Sequence, residues 1–303
     1  MEFSIIIPIA PGRNAEIIKC LKNQDYSKKN FEIIVQAGKN PSENRNEGVK
    51  KSEGETIIFL DDDAYIEKDY LKNVRKFFKE YPFIDIVGGP QLTPKKSTFF
   101  EKISGIALTS YFGAFNVSKR YKQGKIILDA DETVLTSANL IVKKNVFKKI
   151  KGFDKRLWPG EDPEFIFRAK DNGLKIAYTP NIIIYHKRRP NFSKFCEQVF
   201  NYGFTRPQKN KISRKTKIVF LIPMLFLIYF LFLPLFSSIN LIFLIPMIAY
   251  IFLALIFSLY DSIKNKTFFG FFILPFIYLF LHLSYGIGMI TGYVTLKDLK
   301  NEN

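Results

Sequence analysis

The sequence predicts an α/β domain with a mostly parallel central sheet over residues 1–210, followed by an all-α membrane region over 218–292 and a short tail, 293–303. Three observations predict it. Short runs rich in isoleucine and valine alternate with longer amphipathic runs before residue 210, the pattern of a sheet covered by helices on both faces. Three apolar runs, 218–236, 239–259 and 268–290, have essentially no charged residue inside them. At about 1.5 Å per residue each can cross a hydrocarbon core of roughly 30 Å. The composition agrees: 303 residues, of which 47% are hydrophobic and 16% aromatic, with a net charge of +17.

FSIIIPI (3–9) and FEIIVQA (31–37) read as strands, and NAEIIKCLKNQ (14–24) between them places Ile17, Ile18 and Leu21 at helical spacing. A helix over 42–52 leads into the strand TIIFL, and another over 68–80 leads into FIDIVGG. In open sheets of this kind ligands bind beyond the carboxyl ends of the strands. TIIFL ends there in Asp61, Asp62 and Asp63. Three adjacent carboxylates repel unless a proton or a cation relieves them. A hard divalent ion, Mg2+ or Mn2+, takes such oxygens and shares its shell with substrate phosphates. The plainer alternative is a solvated turn with acids at a helix start.

A second acidic site lies in LWPGEDPEFIFRAKDNG (157–173). Glu161, Asp162 and Glu164 open a helix whose Phe165, Phe167 and Ala169 turn inward, and Trp158, the only tryptophan, precedes them with Gly160 on a loop. A carboxylate beside an aromatic ring suits a general base working on a sugar or lipid. A helix cap is the alternative.

The segment 187–217 is strongly basic, with Phe192, Phe195, Phe200, Tyr202 and Phe204 interleaved, and it runs directly into the first apolar run. That placement fits an interfacial segment on anionic lipid and argues against nucleic acid. By the positive-inside rule this segment and everything before it face the cytoplasm, SSIN (237–240) faces outside, DSIKNKT (261–267) inside and the tail KDLKNEN outside. The expectation is a multi-pass protein of the cell membrane. The third apolar run ends in LHLSYGIGMITGYV, whose His282, Ser284 and three glycines predict a helix that tilts, lies partly in the interface or packs closely on a neighbour. The start MEFSIIIPIAP does not read as a signal peptide, and Cys20 and Cys196 suit a reducing compartment.

The segments FSIIIPI, NRNEGVKKSEGETIIFLDDDAYI, TSANLIVKKNVFKKIKGFDKRL and GEDPEFIFRAKDNGLKIAYTPNIIIYHKRRP, in that order over residues 3–206, resemble the inverting family 2 glycosyltransferases of the GT-A fold. Each motif alone is weak; their succession is specific. The resemblance implies a hexosyltransferase-type enzyme with a nucleotide-diphosphate sugar donor and a divalent metal. By position, Asp61 and Asp63 match the DxD pair that binds metal and diphosphate, with Asp62 near the ribose or a metal-bound water. Pro8 and Arg45 match the nucleotide pocket, Asn139 the surroundings of the donor sugar, and Asp162, with Glu161 beside it, the catalytic base. His186 matches a position that completes the metal shell or meets the pyrophosphate, or else packs at a strand end; Trp158, Gly160 and Arg188 are the expected acceptor contacts.

The family usually has an aspartate after the second strand. Here VQAGKNPSENRN leaves contact with the base to Gln36, Lys39 or Asn40, and leaves the donor's base open. A retained GED leans toward a hydroxyl acceptor on a lipid-linked glycan or glycolipid, in cell-envelope glycan biosynthesis. A polyprenyl phosphate, the alternative, is already ionised and needs no base. Polysaccharide export asks for more than three membrane helices, and a non-catalytic scaffold is expected to have lost DDD or GED.

Overall fold

The structure, a computed structural model, describes residues 1–157, 159–213 and 217–296, so the tail KDLKNEN lies outside the described residues. The chain divides into two compact units, Met1–Lys95 with Lys119–Lys187, and Lys96–Ser118 with Arg188–Asn303. The division falls at Lys187 rather than near residue 210, and it assigns 96–118 to the second unit.

In chain order the first unit opens with β1 (Phe3–Ile9), α1 (Ile18–Lys22), β2 (Phe31–Ala37), α2 (Pro41–Lys51) and β3 (Thr56–Leu60). It continues with β4 (Ala64–Tyr65), α3 (Tyr70–Glu80), β5 (Ile86–Gly88) and β6 (Gln91–Leu92). After α4 (Phe99–Thr109) and α5 (Tyr111–Ala114), which belong to the second unit, come β7 (Asn139–Lys143), α6 (Asn145–Ile150), α7 (Glu161–Asp171), β8 (Ile176–Tyr178) and β9 (Ile184–His186).

One six-stranded sheet has the order β2-β1-β3-β7-β5-β8, and a three-stranded sheet has the order β4-β9-β6. β1 is parallel to β2 and β3, and β5 is parallel to β8, whereas β7 runs antiparallel to both β3 and β5. The main sheet is therefore mixed, with mostly parallel strands. Successive residues of β1 and β3 alternate between two cores, Ile5, Ile7, Ile58 and Leu60 on one face, Ile6, Ile57 and Phe59 on the other. Both faces are buried, which is why these strands read as continuous apolar runs. On the second face the rings of Phe153 and Phe165 stack at 4.3 Å.

α1 is shorter than the expected 14–24, whereas α2 matches its expected span. Asn40 caps α2, its Oδ1 accepting from the N–H of Ser42 at 2.9 Å and of Glu43 at 3.3 Å, and Pro41 follows in the first turn. The buried face of α2 is polar, consisting of Ser42, Asn44, Arg45 and Gly48. A Cβ on Gly48 would lie 2.5 Å from Ile6 Cγ2, so the helix rests directly on β1.

The second unit adds α8 (Phe192–Phe204), α9 (Arg206–Ser213), α10 (Ile222–Ile239), α11 (Ile245–Lys264) and α12 (Gly270–Val294) to α4 and α5. Ile218–Ile239, Leu241–Lys264 and Gly270–Val294 are long and apolar enough to cross a membrane. The second runs past the expected end and takes in Asp261, which turns inward to accept from the Tyr278 hydroxyl at 2.7 Å. The third is one continuous helix of 25 residues. His282 is satisfied inside it, with Nε2 3.1 Å from the Phe112 carbonyl and Nδ1 3.0 Å from the Tyr250 hydroxyl.

Of the behaviours expected of this run, close packing is observed. A Cβ on Gly203 would lie 2.1 Å from the Tyr285 carbonyl oxygen, one on Gly288 2.1 Å from that of Phe200, and one on Gly292 2.2 Å from that of Phe204. α8 and α12 thus meet backbone to backbone, the contact that small residues permit. Residues 96–118 join this unit because α4 and α5 pack their apolar residues on α12.

Gly288→Val will force these helices apart and destabilise the unit by roughly 1–3 kcal/mol, the usual cost of overpacking. Thermal unfolding in detergent, followed by circular dichroism, will show a lower midpoint than for Ile287→Val, a change on an exposed neighbour.

Candidate active site

The three aspartates begin where β3 ends, and a short antiparallel pairing decides what faces them. Ala64 of β4 pairs with His186 of β9, which sets the imidazole beside the aspartate turn. His186 Nε2 lies 3.1 Å from Asp63 Oδ1 and 3.4 Å from Asp61 Oδ2. Its Nδ1 lies 3.0 Å from the Lys187 carbonyl oxygen, a contact that only a protonated Nδ1 can make favourably. Nε2 is thereby the ring nitrogen left to face the carboxylates.

One ligand atom from each of Asp61, Asp63 and His186 falls within 4.8 Å of the others. Two carboxylate oxygens and an oriented imidazole nitrogen suit a divalent ion, so the donor set fits the metal that the sequence motif implies. Burial alone would lower the His186 pKa, but hydrogen bonds to Asp61 and Asp63 and their charges raise it to about 10. Burial pushes Asp63 the other way, yet His186 and Arg13 outweigh it and hold the carboxyl at about 2. Asp62 is raised, because its burial exceeds the pull of Arg13.

Arg45 links this cluster to the second acidic motif. Its Nη1 donates to Glu161 Oε1 at 2.7 Å, and its Nη2 lies 3.7 Å from Asp61 Oδ1. Arg45 as a residue is only 4% exposed, and its guanidinium carbon lies 5.6 Å from the Phe153 ring centre. Glu161 uses its other oxygen, Oε2, to accept from the Gly160 N–H at 3.0 Å, and Gly160 has φ +121°, a conformation that needs glycine. Burial raises the Glu161 pKa against the pull of Arg45. Glu161 is thus an anchor for the start of α7. Asp162, next to it, is half-buried and accepts from the Ser137 N–H at 3.3 Å.

The polar face of α2 also holds the segment that leads into α7. Asn40 Nδ2 donates to the Lys155 carbonyl at 2.9 Å, Ser42 Oγ to that of Leu157 at 3.0 Å, and Asn46 exchanges hydrogen bonds with the Phe153 backbone at 2.8 and 2.9 Å. Asn44 Nδ2 bridges the carbonyls of Ile9 and Gly38 at 3.3 and 3.0 Å, tying the ends of β1 and β2 together. Pro8 is buried in β1 opposite Gln36, whose Oε1 accepts from Lys51 Nζ at 2.8 Å, and Lys39 is exposed. Asn139 pairs with Leu60 at the same sheet edge, but its side chain is buried: Oδ1 accepts from the Tyr70 hydroxyl at 2.7 Å and Nδ2 donates to the Ile182 carbonyl at 2.8 Å.

Of the expected site residues, Asp61, Asp62, Asp63, Arg45, Glu161 and His186 come together in one network. Trp158 lies outside the described residues, and Arg188 falls in the second unit. Reading the sequence missed Arg13, whose Nε lies 2.9 Å from Asp62 Oδ2, and the anchoring roles of Ser42, Asn44 and Asn46. The one signal for Arg13 was its place in the loop after the first strand, at the edge where ligands bind.

Residues 56–291 match the pattern described as glycosyl transferase family group 2. A dolichyl N-acetyl-alpha-D-glucosaminyl phosphate 3-beta-D-2,3-diacetamido-2,3-dideoxy-beta-D-glucuronosyltransferase of Methanococcus voltae is 28% identical over 239 residues, covering 66% of this chain and 71% of that protein. Glycosyltransferase AglE of Haloferax volcanii is 25% identical over 175 residues, covering 57% of this chain and 53% of that protein, so this chain spans about half of its length. In fold, the chain is similar to a mannosyltransferase of Pyrobaculum calidifontis solved in complex with GDP-Man and Mn2+, with a TM-score of 0.50 at 12% identity over 97% of this chain and 74% of that one.

A raised pKa means that the His186 pairing stabilises the fold fully below the ordinary histidine value and that this is lost as pH rises through about 10. At neutral pH a metal at Nε2 must displace the proton. Titration calorimetry of Mn2+ in buffers of different protonation enthalpy will register release of about one proton per ion, with affinity rising with pH. His186→Ala will abolish the release.

Proposed function

The chain belongs to glycosyl transferase family group 2, and from that premise we propose that it transfers a sugar, with inversion, from a nucleotide-diphosphate sugar to a hydroxyl of a lipid-linked glycan or glycolipid at the cytoplasmic face of a membrane. The observation that carries the reading is the chain Asp61, Arg45, Glu161, which ties the first turn of α7, and with it Asp162, to the aspartate cluster.

Asp61, Asp63 and His186 would hold a divalent ion, Mg2+ or Mn2+, which would supply positive charge for the departing diphosphate. Asp162 takes the proton of the acceptor hydroxyl on its carboxylate, which the Ser137 N–H orients. The hydroxyl oxygen attacks the anomeric carbon opposite the leaving diphosphate, and a single displacement of this kind inverts the configuration. Arg45, locked between Glu161 and Asp61, keeps the carboxylate of the base and the carboxylates of the donor site in register.

The relatives favour a lipid-linked acceptor with a free hydroxyl, since the Methanococcus voltae protein is named for transfer onto a dolichyl-linked aminosugar phosphate. The mannosyltransferase of Pyrobaculum calidifontis that shares this fold was solved with GDP-Man and Mn2+, a nucleotide sugar and a divalent ion of the kind proposed for this chain. Three apolar helices suit a multi-pass anchor, and the basic segment 187–217 before them supports a cytoplasmic catalytic unit.

Asp162→Asn will lower turnover roughly 10²–10⁴-fold, the range for loss of a general base, and leave nucleoside-diphosphate affinity within about twofold. Membranes supplied with labelled donor check both; an undiminished rate removes Asp162 from this role. In the same extracts the lipid product will survive mild acid. A mild-acid-labile product would point to a polyprenyl phosphate acceptor instead.

A further inference from the structure

We propose that Arg13 is a further donor-binding residue, one that exchanges its aspartate partners for the diphosphate oxygens of the nucleotide. This rests on the reading of the aspartate cluster as the donor site.

Three cationic side chains reach Asp61, Asp62 and Asp63 among the described residues, and they differ in freedom. Arg45 is buried and fixed by Glu161. His186 is fixed by the Lys187 carbonyl and by the pairing of β4 with β9. Arg13 alone is on a loop, and its side chain is 54% exposed.

The loop itself is anchored at both ends. It leaves β1 through a turn in which Gly12 has φ +79° and the Arg13 N–H donates to the Ala10 carbonyl at 3.2 Å. At its far end the Ile17 N–H donates to the Asp62 carbonyl at 3.2 Å. The backbone is therefore held against the aspartate turn while the long side chain can swing.

The contacts of Arg13 are of an exchangeable kind. Nε lies 2.9 Å from Asp62 Oδ2 and Nη2 lies 3.6 Å from Asp63 Oδ2. The first is a charge contact without hydrogen-bond alignment, since Asp62 Oδ2 has no hydrogen-bond partner. His186 faces the other oxygen of Asp63, Oδ1. Asp63 is thus shared, with one oxygen on the side of the metal ligands and the other on the side of Arg13.

A divalent ion at Asp63 competes with Arg13 for the same negative charge. The diphosphate that accompanies it offers a planar guanidinium a bidentate partner of higher charge. Both changes favour moving the guanidinium from carboxylate to phosphate. The result is opposite effects of one substitution on two ligands.

The test measures Mn2+ alone by titration, then whichever of the uridine, guanosine, thymidine or cytidine diphosphates binds best with Mn2+ saturating, in wild type, Arg13→Ala and Arg13→Lys. For Arg13→Ala we expect Mn2+ to bind roughly threefold tighter, because a competing cation is gone, and the diphosphate to bind roughly tenfold weaker, as for loss of a charge-assisted hydrogen bond. The corresponding nucleoside monophosphate will lose less. Arg13→Lys, which keeps the charge and loses the fork, will recover part of the diphosphate affinity. Equal weakening of both ligands, or no change in either, would overturn the role of Arg13 and leave the site reading intact. A wild-type protein that binds Mn2+ but no nucleoside diphosphate would overturn the site reading itself, and the inference with it.

Discussion

The buried pair of Arg45 and Glu161 is the constraint on which the rest of the catalytic unit depends. Two charges removed from water at 2.7 Å are a poor source of stability in themselves, and Arg45 Nε is buried without a hydrogen-bond partner. Removing one partner, however, strands the other in the interior, so the pair cannot be loosened piecemeal. What it provides is register. α2 comes from the segment between β2 and β3, α7 from far along the chain, and their meeting through this pair sets GED beside DDD. The polar underside of α2 then fits its purpose, since Asn40, Ser42 and Asn46 hold backbone groups of the 153–157 segment that leads to α7.

Around that fixed point the charges are graded by mobility. Arg45 is locked, His186 is oriented by a backbone carbonyl, and Arg13 is tethered only through its loop. Three adjacent aspartates are tolerable at neutral pH because cations of these three kinds surround them. On the proposed reading, the imidazole gives up its proton to a metal and the exposed guanidinium changes partners.

The second unit solves a different problem. The apolar α12 and the amphipathic α8, which carries Lys194 and Glu197 on its exposed side, associate through close backbone approach at Gly203, Gly288 and Gly292. Polar groups inside the unit find one another, as His282 does with Phe112 and Tyr250, and Asp261 with Tyr278. The residues 96–118, lying in sequence between strands of the catalytic unit, belong here because their aromatic side chains have their partners on α8, α11 and α12, as Phe100 does with Phe195 and Phe112 with Phe257 and Tyr278.

By itself the sequence determined the alternation of strands and helices, the apolar spans and the two acidic motifs, because periodicity, uninterrupted hydrophobicity and clustered charge are local properties. The family resemblance paired Asp61 with Asp63 and left His186 between that site and plain packing at a strand end; the fold brings one ligand atom of each within 4.8 Å of the others. Only the tertiary structure decided that Glu161 anchors Arg45, that Asn139 faces the core, that Arg13 reaches the aspartates, and that 96–118 leaves the catalytic unit. Each of these depends on which side chain meets which across long stretches of chain. A polar residue such as Asn44 or Asn46 reads the same in sequence whether it faces solvent or caps a buried carbonyl. Its partner, supplied by the fold, makes the difference.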